Sequence, residues 1–268
     1  MTEPAVTITD DDVRTFQENG AVRLRRVFGA EWVGRMREAV DDRIARPGPM
    51  RRDFSRDKKF FDETFIWVDD ARFRQFVFDS PAGLVARGLL AAARVNLLFD
   101  QILIKEPGAS DRTPWHNDVP YWPIAGDQVA SVWFALDPVT RQNGAVEYVK
   151  GSHRWNQRFL PQSFFGDARY HEDLPRIPDI EAMRPQLEFL QWELEPGDCL
   201  VHHGLTVHGA PGNLTATARR RALVTRWCGE DVRYHPRPNI QPMLRDPGLP
   251  PGAPLDCDLF PRVWPRVA

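Results

Sequence analysis

His116 and Asp118 stand two positions apart, with Asn117 between them, in Thr113-Pro114-Trp115-His116-Asn117-Asp118. In an extended segment, residues two apart project to the same face. An imidazole nitrogen and a carboxylate oxygen can therefore be aimed at one point. A metal held there needs a third donor from another strand. The stretch that opens with Pro196-Gly197-Asp198 offers one: a turn leads into an apolar strand, which breaks just before His208-Gly209. His202 and His203 lie in the same stretch and compete for the role. Two imidazoles and one carboxylate on one face leave three coordination positions open, the facial arrangement of non-haem Fe(II) oxygenases. A Mg²⁺ or Ca²⁺ site would be built of oxygens, and structural zinc would take a fourth protein ligand.

Such donors must be positioned by a rigid frame. The first 94 residues read as helical. Thr9 precedes Asp10, Asp11 and Asp12, an acidic first turn suited to a helix N-terminus. Trp32, Val33, Met36, Val40 and Ile44 fall on one helical face, and Pro47-Gly48-Pro49 ends that run. A third helical pattern near Pro81–Ala93 carries Leu84, Val85, Leu89 and Leu90. From Val95 the pattern becomes short apolar or alternating runs bounded by turn residues: Val95–Lys105, Val129–Leu136, Ala145–Val149, Leu187–Leu194, Cys199–His203 and Arg221–Trp227. The reading is α+β, a jelly-roll core over 95–234 with N-terminal helices packed on the sandwich, in one domain spanning 1–268. The Pro-rich tail 235–268 is expected to run extended along the surface. The insert Arg154–Arg184 holds Phe159, Phe164, Phe165 and Tyr170 among charged residues without sustained alternation. It reads as a loop over one mouth of the sandwich that substrate orders, and with the polar, aromatic and irregular segment Arg51–Asp70 it is expected to form the lid.

The chain has 268 residues, 42% hydrophobic and 27% charged, with a formal net charge of −2. This length buries a sizeable core without disulfide staples, and the three cysteines are too scattered for a zinc knuckle or a disulfide framework. Basic and acidic residues total 35 and 37 and are interleaved, which argues against a nucleic-acid partner. No apolar run approaches the ~18 residues of a membrane helix. The acidic opening lacks the apolar centre of a secretory signal, so a cytoplasmic location is expected.

Several further motifs accompany the donor set: Lys105-Glu106-Pro107-Gly108, Ser131-Val132-Trp133-Phe134-Ala135-Leu136-Asp137, Asn143-Gly144-Ala145-Val146-Glu147 and Gly151-Ser152-His153-Arg154. Pro196-Gly197-Asp198, His208-Gly209-Ala210-Pro211-Gly212-Asn213 and Arg220-Arg221-Ala222-Leu223 follow, and Phe16-Gln17-Glu18-Asn19-Gly20 opens the series. In this combination the chain, from about Thr7 to Tyr234, resembles the phytanoyl-CoA dioxygenase family of Fe(II)/2-oxoglutarate oxygenases. The resemblance implies Fe(II) with 2-oxoglutarate and O₂, a small-molecule substrate, and metal ligands at His116, Asp118 and His208. It leaves His202 and His203 as strand histidines, and His153 and Asn143 as turn-forming residues. The family places an arginine for the distal carboxylate of 2-oxoglutarate shortly after the distal His. Matching the Arg-Arg-Ala-Leu pattern selects Arg220, whereas counting from His208 selects Arg219; strand alternation puts Arg219 and Arg221 on the face away from Arg220. Lys105, Gln101 and Trp133 match positions that contact the oxoacid or line the pocket in relatives, and Trp115, Tyr121 and Trp122 flank the metal motif.

What the resemblance implies is a C–H hydroxylase releasing succinate and CO₂. Halogenating relatives carry a small residue in place of the carboxylate, and Asp118 is present. Two other classes compete: a non-catalytic jelly roll that binds a small molecule beside a vestigial metal site, and a cupin-like metal hydrolase or isomerase. Neither requires 2-oxoglutarate turnover.

Overall fold

The computed structural model describes residues 6–162, 173–238 and 240–266. Four helices fall early in the chain: α1 (Asp10–Asn19), α2 (Ala30–Ala45), α3 (Ala71–Asp79) and α4 (Ala82–Leu90). The acidic start of α1 is a capping box, in which the Thr9 hydroxyl accepts from Asp12 N and the Asp12 carboxylate accepts from Thr9 N. The apolar face of α2 buries Trp32, Val33, Met36 and Val40.

The strands, in chain order, are β1 (Ala21–Leu24), β2 (Arg51–Asp53), β3 (Phe60–Thr64), β4 (Val95–Lys105), β5 (Thr113–His116), β6 (Ile124–Ala125) and β7 (Val129–Ala135), followed by β8 (Glu147–Val149), β9 (Phe189–Gln191), β10 (Cys199–His203), β11 (His208–Ala210), β12 (Arg220–Cys228), β13 (Arg233–Tyr234) and β14 (Arg262–Trp264). Among the described residues the major sheet runs β1-β10-β7-β12-β4-β3-β2, with β14 also paired to β4. The minor sheet runs β5-β11-β8-β9, and β6 pairs with β13.

Alternation along the major sheet sorts its side chains into two cores. Val132 and Phe134 of β7, Val201 of β10 and Leu223 of β12 face α1–α4 and share one apolar cluster with Met36, Phe76 and Leu89. Trp133, Leu200, Ala222 and Val224 face the minor sheet and pack with Tyr148 and Ala210. This is the jelly-roll sandwich with helices laid on its outer face. Because both faces of the major sheet are covered, its strands read as nearly continuous apolar runs.

Two expectations need correction. Residues 1–94 are not purely helical: β1 forms one edge of the major sheet, and β2 and β3 form the other. β3 reads Phe-Phe-Asp-Glu-Thr, all buried. Its carboxylates enter the core only because Arg52 binds Asp62 and Arg43 binds Glu63, which no local pattern announces. The tail does more than run along the surface. Leu255, Leu259 and Phe260 pack into the cluster around Phe99 and Trp122, and β14 joins the sheet. Among the described residues no helix is long and apolar enough to cross a membrane.

Candidate active site

β5 and β11 lie side by side with His116 and His208 as direct cross-strand partners. Pairing therefore brings the two imidazoles together, with ring centroids 4.2 Å apart. Asp118 follows β5 by two residues, at the head of a short 3-10 turn, Val119–Tyr121. Its Oδ1 is 3.6 Å from His116 Nε2 and 3.9 Å from His208 Nε2. The three residues offer ligand atoms that all lie within 4.8 Å of one another. Metal bonds of about 2.0–2.2 Å at right angles place facial donors about 3 Å apart, so small rotations close the set on one ion.

The tautomers are prepared for a metal. His116 Nδ1 lies 2.8 Å from Pro114 O and His208 Nδ1 lies 2.9 Å from Thr206 O. Each Nδ1–H donates to its carbonyl, which leaves each Nε2 lone pair facing the common point. Burial, then the neighbouring His116 and His202, push His208 well below its ordinary pKa and keep it neutral. Burial alone would raise Asp118, but Arg226, followed by His116 and His202, holds its carboxyl well below the usual range.

The donors open into a cavity of about 100 Å³ that is open to solvent on one side. Its walls include Phe54, Phe60, Leu103, Tyr121, Trp122, Trp133 and Val146, with Arg52, Gln101, Arg220, Arg226 and Gln241 as polar groups. Arg220, Gln101 and Trp133 thus line it, while Arg219, Lys105 and Trp115 do not. Arg220 opens β12 and points inward, buried, with its guanidinium carbon 5.5 Å from the Trp133 ring. Its Nε has no hydrogen-bond partner among the described residues, and burial pushes its pKa down to about 10. Arg219 points the other way, is 40% exposed, and pairs with Glu106 and Asp41. Lys105 is fully buried, and its ammonium is committed to Pro211 O at 2.5 Å and Asp111 O at 3.2 Å. Trp115 donates to Glu181 outside the cavity. The cavity thus combines three donors that could hold a metal with a buried guanidinium that is unpaired among the described residues, a fit for an anionic chelator.

The model of the phytanoyl-CoA dioxygenase family matches residues 16–222. The chain belongs to that family. Its cofactors are accordingly Fe(II), 2-oxoglutarate and O₂, and it is a 2-oxoglutarate oxygenase. Among its relatives, the multifunctional dioxygenase prhA of Penicillium brasilianum is 27% identical over 251 residues, covering 82% of this chain and 72% of prhA. The peroxisomal phytanoyl-CoA dioxygenase of Homo sapiens is 25% identical over 145 residues, 52% of this chain and 41% of that one. The solved structure of the non-heme alpha-ketoglutarate-dependent carbocyclase SnoK from nogalamycin biosynthesis superposes with a TM-score of 0.76 at 25% identity, covering 96% of each chain. The epimerase SnoN from the same biosynthesis gives 0.74 at 21%, covering 94% of each.

In this family member the motif has support that the sequence reading missed. His202, read as a plain strand histidine, lies inside the site: its Nε2 is 3.1 Å from Asp118 Oδ2, and the Tyr148 hydroxyl sits 3.3 Å from its Nδ1. Ser131 Oγ donates to the same Oδ2 at 3.0 Å. Register explains the convergence. His202, Ser131 and Arg226 are direct partners across β10, β7 and β12, so they form one rung facing Asp118. His202 and Ser131 occupy Oδ2, with Arg226 Nε 3.9 Å away, and Oδ1 is the oxygen turned toward His116 and His208. Inward parity on β10, shared by His202 and Leu200, was the available signal.

Asn117, between His116 and Asp118, holds the insert. Its Nδ2 donates to Gln157 O at 2.8 Å, and its Oδ1 accepts from Phe159 N. The Tyr121 hydroxyl, on the cavity wall, donates to Gln162 O and accepts from Gln162 N. Residues 163–172, which carry Phe164, Phe165 and Tyr170 of the expected lid, lie outside the described residues.

Proposed function

We propose that His116, Asp118 and His208 hold the Fe(II), that Arg220 binds the distal carboxylate of 2-oxoglutarate, and that the enzyme hydroxylates an unactivated C–H bond of a small molecule. With O₂ and 2-oxoglutarate the metal supplies the oxidising chemistry, and succinate and CO₂ are released. The protein's own part is positional. Neutral imidazoles and one carboxylate oxygen leave half the coordination sphere to ligands. Arg220 sets the direction in which the oxoacid lies. Phe54, Phe60, Tyr121 and Trp122 supply an aromatic wall that excludes water and suits an apolar substrate body, while Arg52 and Gln241 suit polar handles on it.

The observation that carries this reading is a His-Asp-His set sharing one cavity with a buried guanidinium that has no hydrogen-bond partner among the described residues. Lys105 is not retained as an oxoacid contact, because it does not line the cavity and its Nζ donates to Pro211 O and Asp111 O. Screening candidate metabolites for succinate release, with mass spectrometry of the product, tests the proposal. Hydroxylation adds one oxygen atom; a product two hydrogens lighter would assign desaturation or ring closure instead. A protein that binds 2-oxoglutarate but never forms succinate with or without substrate would be the binding protein of the competing reading.

A further inference from the structure

Arg52 lies on β2, an edge strand of the major sheet, and lines the cavity. Three strand spacings of about 4.8 Å separate β2 from β12, which carries Arg220, so Arg52 belongs to a wall about 14 Å away. Arg52 and Asp62 are direct cross-strand partners. Arg52 Nε donates to Asp62 Oδ1 at 3.0 Å, and its Nη2 donates to Oδ2. Asp62 is fully buried and also accepts from Gln101, whose Oε1 accepts from Arg226 Nη2 at 2.8 Å. Four side chains, one each from β2, β3, β4 and β12, thus form one hydrogen-bonded chain across the sheet. It fixes the Arg52 guanidinium from behind, and the Phe54 ring centre lies 5.4 Å from its central carbon. Nη1 is left with no acceptor among the described residues, and the side chain is 23% exposed. A planar fork held this way meets an anion with little further loss of freedom.

Charge selects the kind of ligand. The charged groups lining the cavity are Arg52, Arg220, Arg226 and Asp118. Asp62 offsets Arg52 from behind, and Asp118 offsets Arg226, whose Nε lies 3.9 Å from its Oδ2. The two positive charges of Fe(II) are matched by the two negative charges of 2-oxoglutarate. One positive charge remains, and the imidazoles add no negative one. A monoanion restores the balance, whereas a phosphate ester, with about −1.5 to −2 at neutral pH, overshoots it. Arg220 and Arg226 are buried, at 3% and 6% exposure, which leaves Arg52 as the cation nearest the mouth. We propose that the substrate carries a carboxylate on an apolar body, and that Arg52 binds this carboxylate while Phe54, Phe60, Tyr121 and Trp122 enclose the body. This rests on the 2-oxoglutarate reading above and names the class of substrate it acts on.

Calorimetric titration of the protein saturated with Mn(II) and 2-oxoglutarate, without O₂, tests it with three pairs of probes. These are phenylacetate, 3-phenylpropanoate and 4-phenylbutanoate, each against its own amide, which keeps the shape and removes the charge. At least one acid should bind at least about tenfold more tightly than its amide. Arg52→Gln alone would leave Asp62 buried without its cation, so Arg52→Gln/Asp62→Asn removes the pair together. In this double variant the preference for acid over amide should fall below about twofold. Its 2-oxoglutarate affinity, measured with Mn(II) and no probe, should match wild type. Acids that bind wild type no better than their amides overturn the proposal, as does an undiminished preference in the double variant. An acid whose binding weakens as 2-oxoglutarate is raised is entering the co-substrate's place, and this also overturns it. So does a loss of 2-oxoglutarate affinity in the double variant, which would assign Arg52 to the co-substrate. If the double variant does not fold, Arg52→Lys decides: a reduced preference for the acid is expected, and a wild-type preference overturns the proposal. A wild-type protein that binds Mn(II) but not 2-oxoglutarate would refute the co-substrate reading itself, and this proposal with it.

Discussion

Asp118, proposed above as a metal ligand, shows how much the second oxygen of a carboxylate can decide. Ser131 and His202 hold Oδ2 at 3.0 and 3.1 Å, so the group can offer one oxygen rather than two and the open positions stay open. Replacing His202 by Phe keeps the ring volume and removes the donor. Mn(II) affinity should then fall by about tenfold or more, in the range typical of such outer partners, and a calorimetric titration matching wild type would show that Ser131 alone is sufficient. The two arginines give a sharper contrast. Arg220→Ala should weaken 2-oxoglutarate binding by at least about tenfold through loss of a charge-assisted fork. Arg219→Ala should change it by less than about twofold, because Arg219 spends its charge on Glu106 and Asp41 outside the cavity. The reverse result would move the co-substrate to the outer face of β12.

At the scale of elements, β3 and β4 bury carboxylates that a less supported strand would expel. Asp62 and Glu63 have arginine partners; Asp100, on β4, does not. Its Oδ2 accepts from Trp67 N at 3.0 Å, while Oδ1 is buried with no partner among the described residues. Burial pushes this carboxyl up to about 7. The folded value lies above the unfolded one, near 3.9. The group's contribution to stability is therefore complete below about pH 4 and is lost as pH rises through 7. Asp100→Asn retains the acceptor for Trp67 and removes the titration. The variant's melting temperature should gain on wild type by several degrees between pH 5 and pH 8. A gap that stays constant over that interval would mean that Asp100 does not titrate there.

For the whole molecule, the site joins the two sheets of the sandwich. His116, Asp118 and His208 come from the minor sheet and its exit turn, whereas Arg220, Ser131 and His202 come from the major sheet. Ligands that bridge the sheets should therefore stabilise the global fold. Mn(II) and 2-oxoglutarate, each at about 100 times its Kd, add about 2.7 kcal/mol per ligand if neither binds the unfolded chain. For a chain of this size the first increment alone is worth roughly 5–10 °C in melting temperature. Differential scanning fluorimetry should show this shift in wild type and lose it in Asp118→Ala. A full shift in that variant would remove Asp118 from the ligand set.

Local pattern was enough for much of this protein. The spacing of His116 and Asp118, the alternation that turns Arg220 inward and Arg219 outward, the capping residues of α1 and the runs that became β4, β7, β10 and β12 are properties of a few consecutive residues, so a strand or helix period exposes them. The company of motifs pointed to the family. Tertiary structure alone decided the rest. β3 is a core strand only because Arg43 and Arg52 reach it, and the tail packs inward only because Leu255, Leu259 and Phe260 find Phe99 and Trp122. His202, Ser131 and Arg226 are 71 and 95 residues apart along the chain, and no period within any one segment relates them. They meet because strand register, a long-range choice made by burying both faces of the major sheet together, sets β10, β7 and β12 at one level beneath Asp118.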